Sequence, residues 1–464
     1  MRSAKSAKQT GKIGFWAQVA LTFFIVSGGP YGLEAAVGAI GAGGTLALVL
    51  LVPLVWALPT TLMVAELTSV FPHQGGFYVW VREVLGPSWG FQEGWWTLCY
   101  SAIDLAIYPV LFVTYLSYFW PGLLQSSPWL QWSAGLVFIL TSVLVNLRGS
   151  RVVGQLSLLD LILVCIPFGV FVFLGSSLGD PNGPRLAFGE LKSNGLPPTT
   201  WVMGLAIVMW NYTGWDNATT YASEVESPET TIPRSLMWTL GLVTLFYLVP
   251  LLIGYRLTLD PKIWGGGSGW PDIAQQLVAP WLGATIAVMA LVSCWSLFNS
   301  QLLYLARLPQ VMAQDGVLPA KLARSSETRG VPVLALWGAA FCAAVFSFFS
   351  LGKLAILDMV MYSLGLALEF WTLIWLRRTQ PQLERKFRIR LPFIGIVIMS
   401  AVPLLVALVV AVASVWTDPS NSKQLAIVLL AAITGFAIAP RVLRQARARE
   451  GLQGDPTAAS VDKP

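Results

Sequence analysis

Ser27-Gly28-Gly29-Pro30-Tyr31-Gly32-Leu33-Glu34 interrupts an otherwise apolar run over residues 14–40. Two adjacent glycines followed by a proline do not continue a regular helix, because proline brings no amide and glycine costs about 1 kcal/mol relative to alanine. A second interruption, Trp210-Asn211-Tyr212-Thr213-Gly214-Trp215, falls inside the run over 199–222. Unwound backbone at membrane depth is tolerated only where it lines a cavity, and its freed amides and carbonyls then become ligands. Paired interruptions at matching positions of two halves predict inverted repeats with a site at mid-membrane between the broken helices.

Outward from these breaks the whole chain reads as apolar spans: 14–40, 45–69, 90–119, 129–147, 156–177, 199–222, 235–255, 281–305, 332–351, 355–376, 393–416 and 424–440. Each is long enough for a hydrocarbon core of about 30 Å, which takes roughly 20 residues. Of the 464 residues 55% are hydrophobic and 11% charged, against about 25% charged in soluble domains. The breaks lie five spans apart. The expected fold is therefore an all-α integral membrane protein of about twelve transmembrane helices, spans one and six discontinuous. Repeat one covers 14–177, repeat two 199–376, and two further helices 393–440. Tails at 1–13 and 441–464 complete a single transmembrane domain over 1–464.

With the N-terminus placed in the cytoplasm, 23 of the 29 Lys and Arg fall on the inner side and 6 on the outer. The positive-inside rule then puts both termini in the cytoplasm of a multi-pass protein of the cell (inner) membrane. The net charge of +6 sits in stretches such as 377–390 and 441–449, where it meets anionic headgroups and not nucleic acid. Cys99, Cys165, Cys294 and Cys342 lie within spans without metal-site spacing, and His73 is the sole histidine. No hydrolytic triad or metal centre can be assembled from this set, so no enzyme, cofactor or metal is expected. No obligate protein partner is evident.

Acids inside spans carry the functional reading, since one at a helix centre costs about 2.5–3.5 kcal/mol on insertion scales. Glu34, Glu66, Asp104, Asp160, Asp216 and Glu369 stand out, with no Lys or Arg inside the spans to pair them. A cationic solute or a proton would supply the missing charge. Glu34 opens the half-helix after the first break, where amides otherwise hold an anion such as an amino-acid carboxylate. Asp216 follows the second break, and Asp104 lies near the middle of span three. Glu66 and Asp160 lie nearer the cytoplasm, as gate or vestibule residues. Backbone at Gly28, Gly29 and Gly32, with Asn211 and the aromatics Tyr31, Tyr108, Trp210, Tyr212 and Trp215, completes a substrate site in which rings face an ammonium group. The turns His73–Tyr78 and Arg307–Pro319 are expected to act as hinge or gate.

The motifs together resemble the amino acid, polyamine and organocation transporter superfamily, and within it the plant-type polyamine transporters and their bacterial relatives. The likeness is carried by residues 27–34, by Phe-Pro-His-Gln-Gly-Gly-Phe-Tyr-Val-Trp at 71–80 and by Gly-Phe-Gln-Glu-Gly-Trp at 90–95. Asp104 with Tyr108-Pro109-Val110, the stretches 209–212 and 214–218, and Leu368-Glu369-Phe370 add to it. The resemblance implies a LeuT-like fold of five plus five helices and alternating access. It further implies proton-coupled import of putrescine-like or longer polyamines, with Glu34, Asp104, Asp216 and Glu369 as amine ligands or proton carriers. Gln301 stands where a carboxylate is expected in the plant proteins, and span five lacks the lysine of several proton-coupled relatives. Sodium stays open as the coupling ion. The alternative is an amino-acid permease or exchanger of the same superfamily, and Glu34 discriminates, because its carboxylate would repel that of an amino acid.

Overall fold

The computed structural model describes residues 12–123, 126–190, 195–265, 268–326, 330–349, 351–417 and 421–454. Most of the expected N-terminal tail, and 455–464 of the C-terminal one, lie outside the described residues. Helix α1 (Phe15–Val26) stops at the first break, and α2 (Leu33–Val52), kinked at Gly41 (φ 74°) into two segments, follows it. A π-helical turn at Pro53–Ala57 leads into α3 (Leu58–Val70). The first half continues with α4 (Gly76–Leu85), α5 (Pro87–Leu116), α6 (Pro128–Asn146) and α7 (Ser150–Leu178). After a connecting helix α8 (Gly183–Glu190), α9 (Pro198–Trp210) stops at the second break. Then follow α10 (Pro228–Leu257), the short α11 (Pro261–Gly265) and α12 (Trp270–Leu277), α13 (Pro280–Gln314), α14 (Val333–Phe346) and α15 (Leu351–Thr379). Helices α16 (Phe393–Thr417) and α17 (Asn421–Gly454) close the chain.

Among the described residues, 8 helical stretches are long and apolar enough to cross a bilayer. Both α1 and α9 fall short because each ends at a break: 12 residues rise about 18 Å, against a hydrocarbon core of about 30 Å. Phe173, Phe341, Ile394 and Trp416 are exposed on outer faces, which suits lipid and not water. Helix α5 is the central post, packed against α4, α6, α13, α14, α15 and α17.

At the first break Gly28 has φ 67°, and a Cβ there would lie 2.5 Å from Leu297 and 2.8 Å from Ser293 Oγ, so only glycine lets the backbone meet α13. The second break differs from expectation, because no α-helix follows it within span six. Residues 217–219 and 222–224 form single 3₁₀ turns instead. The reason is local competition: the hydroxyls of Thr219 and Thr220 bond the carbonyls of Asp216 (2.6 Å) and Asn217 (2.9 Å), tying the backbone into turns. The two breaks touch, since a Cβ on Gly214 would lie 3.2 Å from the Ile25 carbonyl.

Layers of contacts lie on either side of the breaks. On the face rich in Arg and Lys, Ile13 exchanges backbone bonds with Glu224 and Glu226 (2.8 and 3.0 Å), and the Gly75 amide donates to Thr220 (2.8 Å). The Tyr78 hydroxyl donates to Asp315 (2.7 Å), which also pairs with Arg82. Arg307, expected in a turn, is instead buried in the last turns of α13 and bonds Glu224 at 3.0 Å. On the opposite face α11 and α12 close over the first break, with Trp270 Nε1 donating to the Pro30 carbonyl (2.9 Å) and Gly38 set backbone to backbone on Gly265.

Candidate functional site

Asp104 faces inward from α5 and gathers donors from its own helix and from two others. Trp210 Nε1, at the end of α9, lies 3.1 Å from Oδ1, and the Tyr108 hydroxyl, one turn along α5, lies 3.2 Å from Oδ2. Gln301 Nε2 on α13 lies 2.9 Å from Oδ2, 2.7 Å from the Tyr108 hydroxyl and 3.2 Å from the Ile25 carbonyl at the end of α1. These groups line a cavity of about 20 Å³ that also meets Ser27, Asn211, Gly214 and Asp358. That volume holds about one water and is an order of magnitude below the roughly 300 Å³ of small ligand pockets. As it stands, the cavity is too small for an organic solute. A larger crevice of about 300 Å³ between α5, α6 and the end of α14 carries no titratable side chain.

A second acidic group lies alongside. The Tyr362 hydroxyl donates to Asp216 Oδ1 at 2.6 Å, and the Asp216 and Glu369 carboxyls are within hydrogen-bonding reach. Glu93, from the Gly-Phe-Gln-Glu-Gly-Trp motif, faces them, its Oε1 lying 2.9 Å from where a Cβ on Gly365 would stand. Glu93 and Glu369 are 1% exposed, and one oxygen of each has no hydrogen-bond partner. Two acids of this constellation, Glu93 and Asp358, escaped the sequence reading. The signal was available, because both lie within apolar spans, as near a span end as Glu66 and Asp160.

Glu34 occupies a separate position. Its Oε1 accepts from the Tyr115 hydroxyl (2.8 Å), which in turn accepts from the Gly32 amide (3.0 Å). The backbone of Gly269, before α12, presses on its side chain, while the Trp210 ring stands over Gly32 on the way to the Asp104 cavity. Of the sequence candidates, Asp104, Tyr108, Trp210 and Asn211 share the cavity, and Asp216 and Glu369 share the neighbouring cluster. Gly28, Gly29, Tyr31 and Gly32 frame the first break, Tyr31 donating to the Ile286 carbonyl (3.3 Å). Tyr212 and Trp215 are fully buried in the scaffold, where Tyr212 packs on Tyr247 and Trp215 bonds the Tyr212 carbonyl (2.9 Å).

The expectation that the intramembrane acids lack cationic partners fails for Glu66. Arg377 Nε reaches its Oε1 at 2.6 Å, Arg385 lies at 3.2 Å, and the Ile389 amide donates at 2.8 Å. Both arginines come from beyond the spans as drawn, and a long guanidinium stem lets them reach inward. Asp160 accepts from Ser296. For Glu34, Glu93, Asp104, Asp216, Asp358 and Glu369, no ion pair forms among the described residues.

Two broken helices meeting at a small acidic cavity inside a helical membrane protein define a solute carrier. The chain belongs to the amino acid permease family, whose model matches residues 14–446, and it is a transporter, not an enzyme. That membership makes its architecture the LeuT-like arrangement, with α16 and α17 as the two additional helices. Over 441 residues it is 32% identical to the polyamine transporter RMV1 of Arabidopsis thaliana, covering 94% of this chain and 86% of that protein. Over 425 residues it is 33% identical to the polyamine transporter PUT1 of Oryza sativa subsp. japonica, covering 90% and 76%. The serine/threonine exchanger SteT of Bacillus subtilis is 23% identical over 265 residues, covering 56% and 57%.

Proposed function

We propose that the protein imports polyamines across the cell membrane by alternating access, coupled to protons, with both termini in the cytoplasm. The observation that carries this reading is the set of buried carboxylates around the touching breaks, none of them ion-paired among the described residues. A polyamine brings the missing positive charge. An amino acid would also need donors for its carboxylate, and the first break offers few. The amides of Gly28, Gly29, Gly32 and Leu33 already donate to Phe23, Ser27, Tyr115 and Pro30. The names of the Arabidopsis and rice relatives point the same way.

In this reading Asp104 takes an ammonium group, with the Trp210 and Tyr108 rings beside it. The Asp216–Glu369 pair, with Glu93 facing it, carries the coupling proton, because two carboxyls within hydrogen-bonding reach share one. The contacts at Asp315 and Glu224 close the cytoplasmic side, and α11 and α12 close the outer side. An inside-negative potential of about 100 mV adds roughly 4.6 kcal/mol for a divalent amine, which favours accumulation about a thousandfold.

The test is uptake by purified protein in proteoliposomes, comparing putrescine and spermidine with arginine, lysine and alanine, with and without an imposed proton gradient. Amines without a carboxylate should be taken up, faster with the gradient. Uptake confined to amino acids would overturn the reading in favour of a permease or exchanger.

A further inference from the structure

Asp358 has no role in the site as read from sequence, yet it lines the same small cavity as Asp104. Helix α15 puts it there: Asp358, Tyr362, Gly365 and Glu369 are spaced four, three and four apart and so share one face. The Tyr362 bond to Asp216 fixes that face toward the breaks. The two aspartates differ in one respect. Asp104 is surrounded by donors from Trp210, Tyr108 and Gln301. Asp358 is 2% exposed, and its Oδ1 has no hydrogen-bond partner. A buried carboxylate left this way is costly unless something else completes it. Among the described residues no Lys or Arg reaches it.

We infer that Asp358 is the second anchor of the substrate cavity, holding the far ammonium of a diamine whose near ammonium rests on Asp104. The inference rests on the polyamine reading and adds to it a rule of selection: the cavity takes solutes with two separated positive charges. A monoamine satisfies Asp104 and leaves Asp358 unpartnered, which is a penalty against the wrong solute as well as a gain for the right one.

The experiment is competition against radiolabelled putrescine uptake in proteoliposomes, with putrescine, n-butylamine and the diamines of three to six carbons as competitors. Wild type should prefer putrescine over butylamine by more than tenfold, with an optimum in the diamine length series. Asp358→Asn should bring the two within about threefold by weakening putrescine alone, and Asp358→Glu should recover part of the preference with a shifted length optimum. If Asp358→Asn keeps the tenfold preference, the residue holds only a proton or a structural bond and the inference is overturned. Equal loss of both amines in a correctly eluting, stable variant also overturns it. Should the asparagine variant not fold, the wild-type length series decides: a two-anchor cavity gives an optimum, a single anchor none. Wild-type protein that recognises amino acids and no amine brings down the polyamine reading itself, a result distinct from any of these.

Discussion

Gln301 Nε2 lies 2.9 Å from Asp104 Oδ2 and 2.7 Å from the Tyr108 hydroxyl, so one amide from α13 holds together the two α5 groups at the centre of the protein. Gln301→Glu would place a second carboxylate against Asp104. Two charges about 4 Å apart repel by about 4 kcal/mol at an effective dielectric of 20, which destabilises the empty site and favours cations of higher charge. The ratio of spermidine to putrescine affinity should rise at least several-fold in competition assays. An unchanged ratio would mean that Gln301 does not face the solute.

Trp210 offers Asp104 a hydrogen bond through its indole nitrogen and an aromatic face beside it. Trp210→Phe keeps the face and removes the bond. A lost hydrogen bond to a charged group is worth about 1.5–3 kcal/mol, so substrate affinity should fall at least tenfold with the fold intact. Affinity within twofold of wild type would assign Trp210 to packing against the solute alone.

Glu66 and Arg377 are 0% and 8% exposed and anchor the loop after α15 to α3. Removing Glu66 strands the buried Arg377, which costs about 3–5 kcal/mol, whereas removing Arg377 leaves Glu66 with Arg385 and costs less. Glu66→Ala and Arg377→Ala should each lower the melting temperature, and the double variant should lose less than their sum. Strict additivity in that cycle would show that the pair contributes nothing jointly.

Gly38 meets Gly265 closely enough that a Cβ on Gly38 would sit 2.8 Å from the Gly265 Cα. Backbone cannot yield as a side chain does, so Gly38→Ala should lift α11 and α12 from the first break. Cys294 is 1% exposed and serves as a native reporter. Its modification by a membrane-impermeant maleimide, followed by peptide mass spectrometry, should speed up several-fold in the variant. Equal rates would show that this face opens by another route.

Much of the architecture was legible without coordinates. Gly28-Gly29-Pro30 announces a broken helix because glycine and proline act on the backbone where they stand. Span six was harder: the bonds by which Thr219 and Thr220 keep the chain in turns after Trp215 are decided residue by residue, and the apolar pattern through 222 conceals them. Arg307 reads as a turn residue because a charge ends a hydropathy window, whereas its partner Glu224 lets α13 carry it on, buried. Asp358 and Glu93 follow the same rule as Asp104, and only packing shows that they join it at the breaks.

Local composition alone marks the protein as a helical membrane carrier with two interrupted helices and acids at membrane depth. Hydrocarbon imposes its demands on each segment separately, so they are written in local composition. Packing alone brings Asp104 and Asp358 to one cavity, sets Glu34 apart behind Trp210, and pairs Glu66 with Arg377, 311 positions away. Charge pairing depends on distances between helices, and packing sets those distances among residues that no local pattern connects.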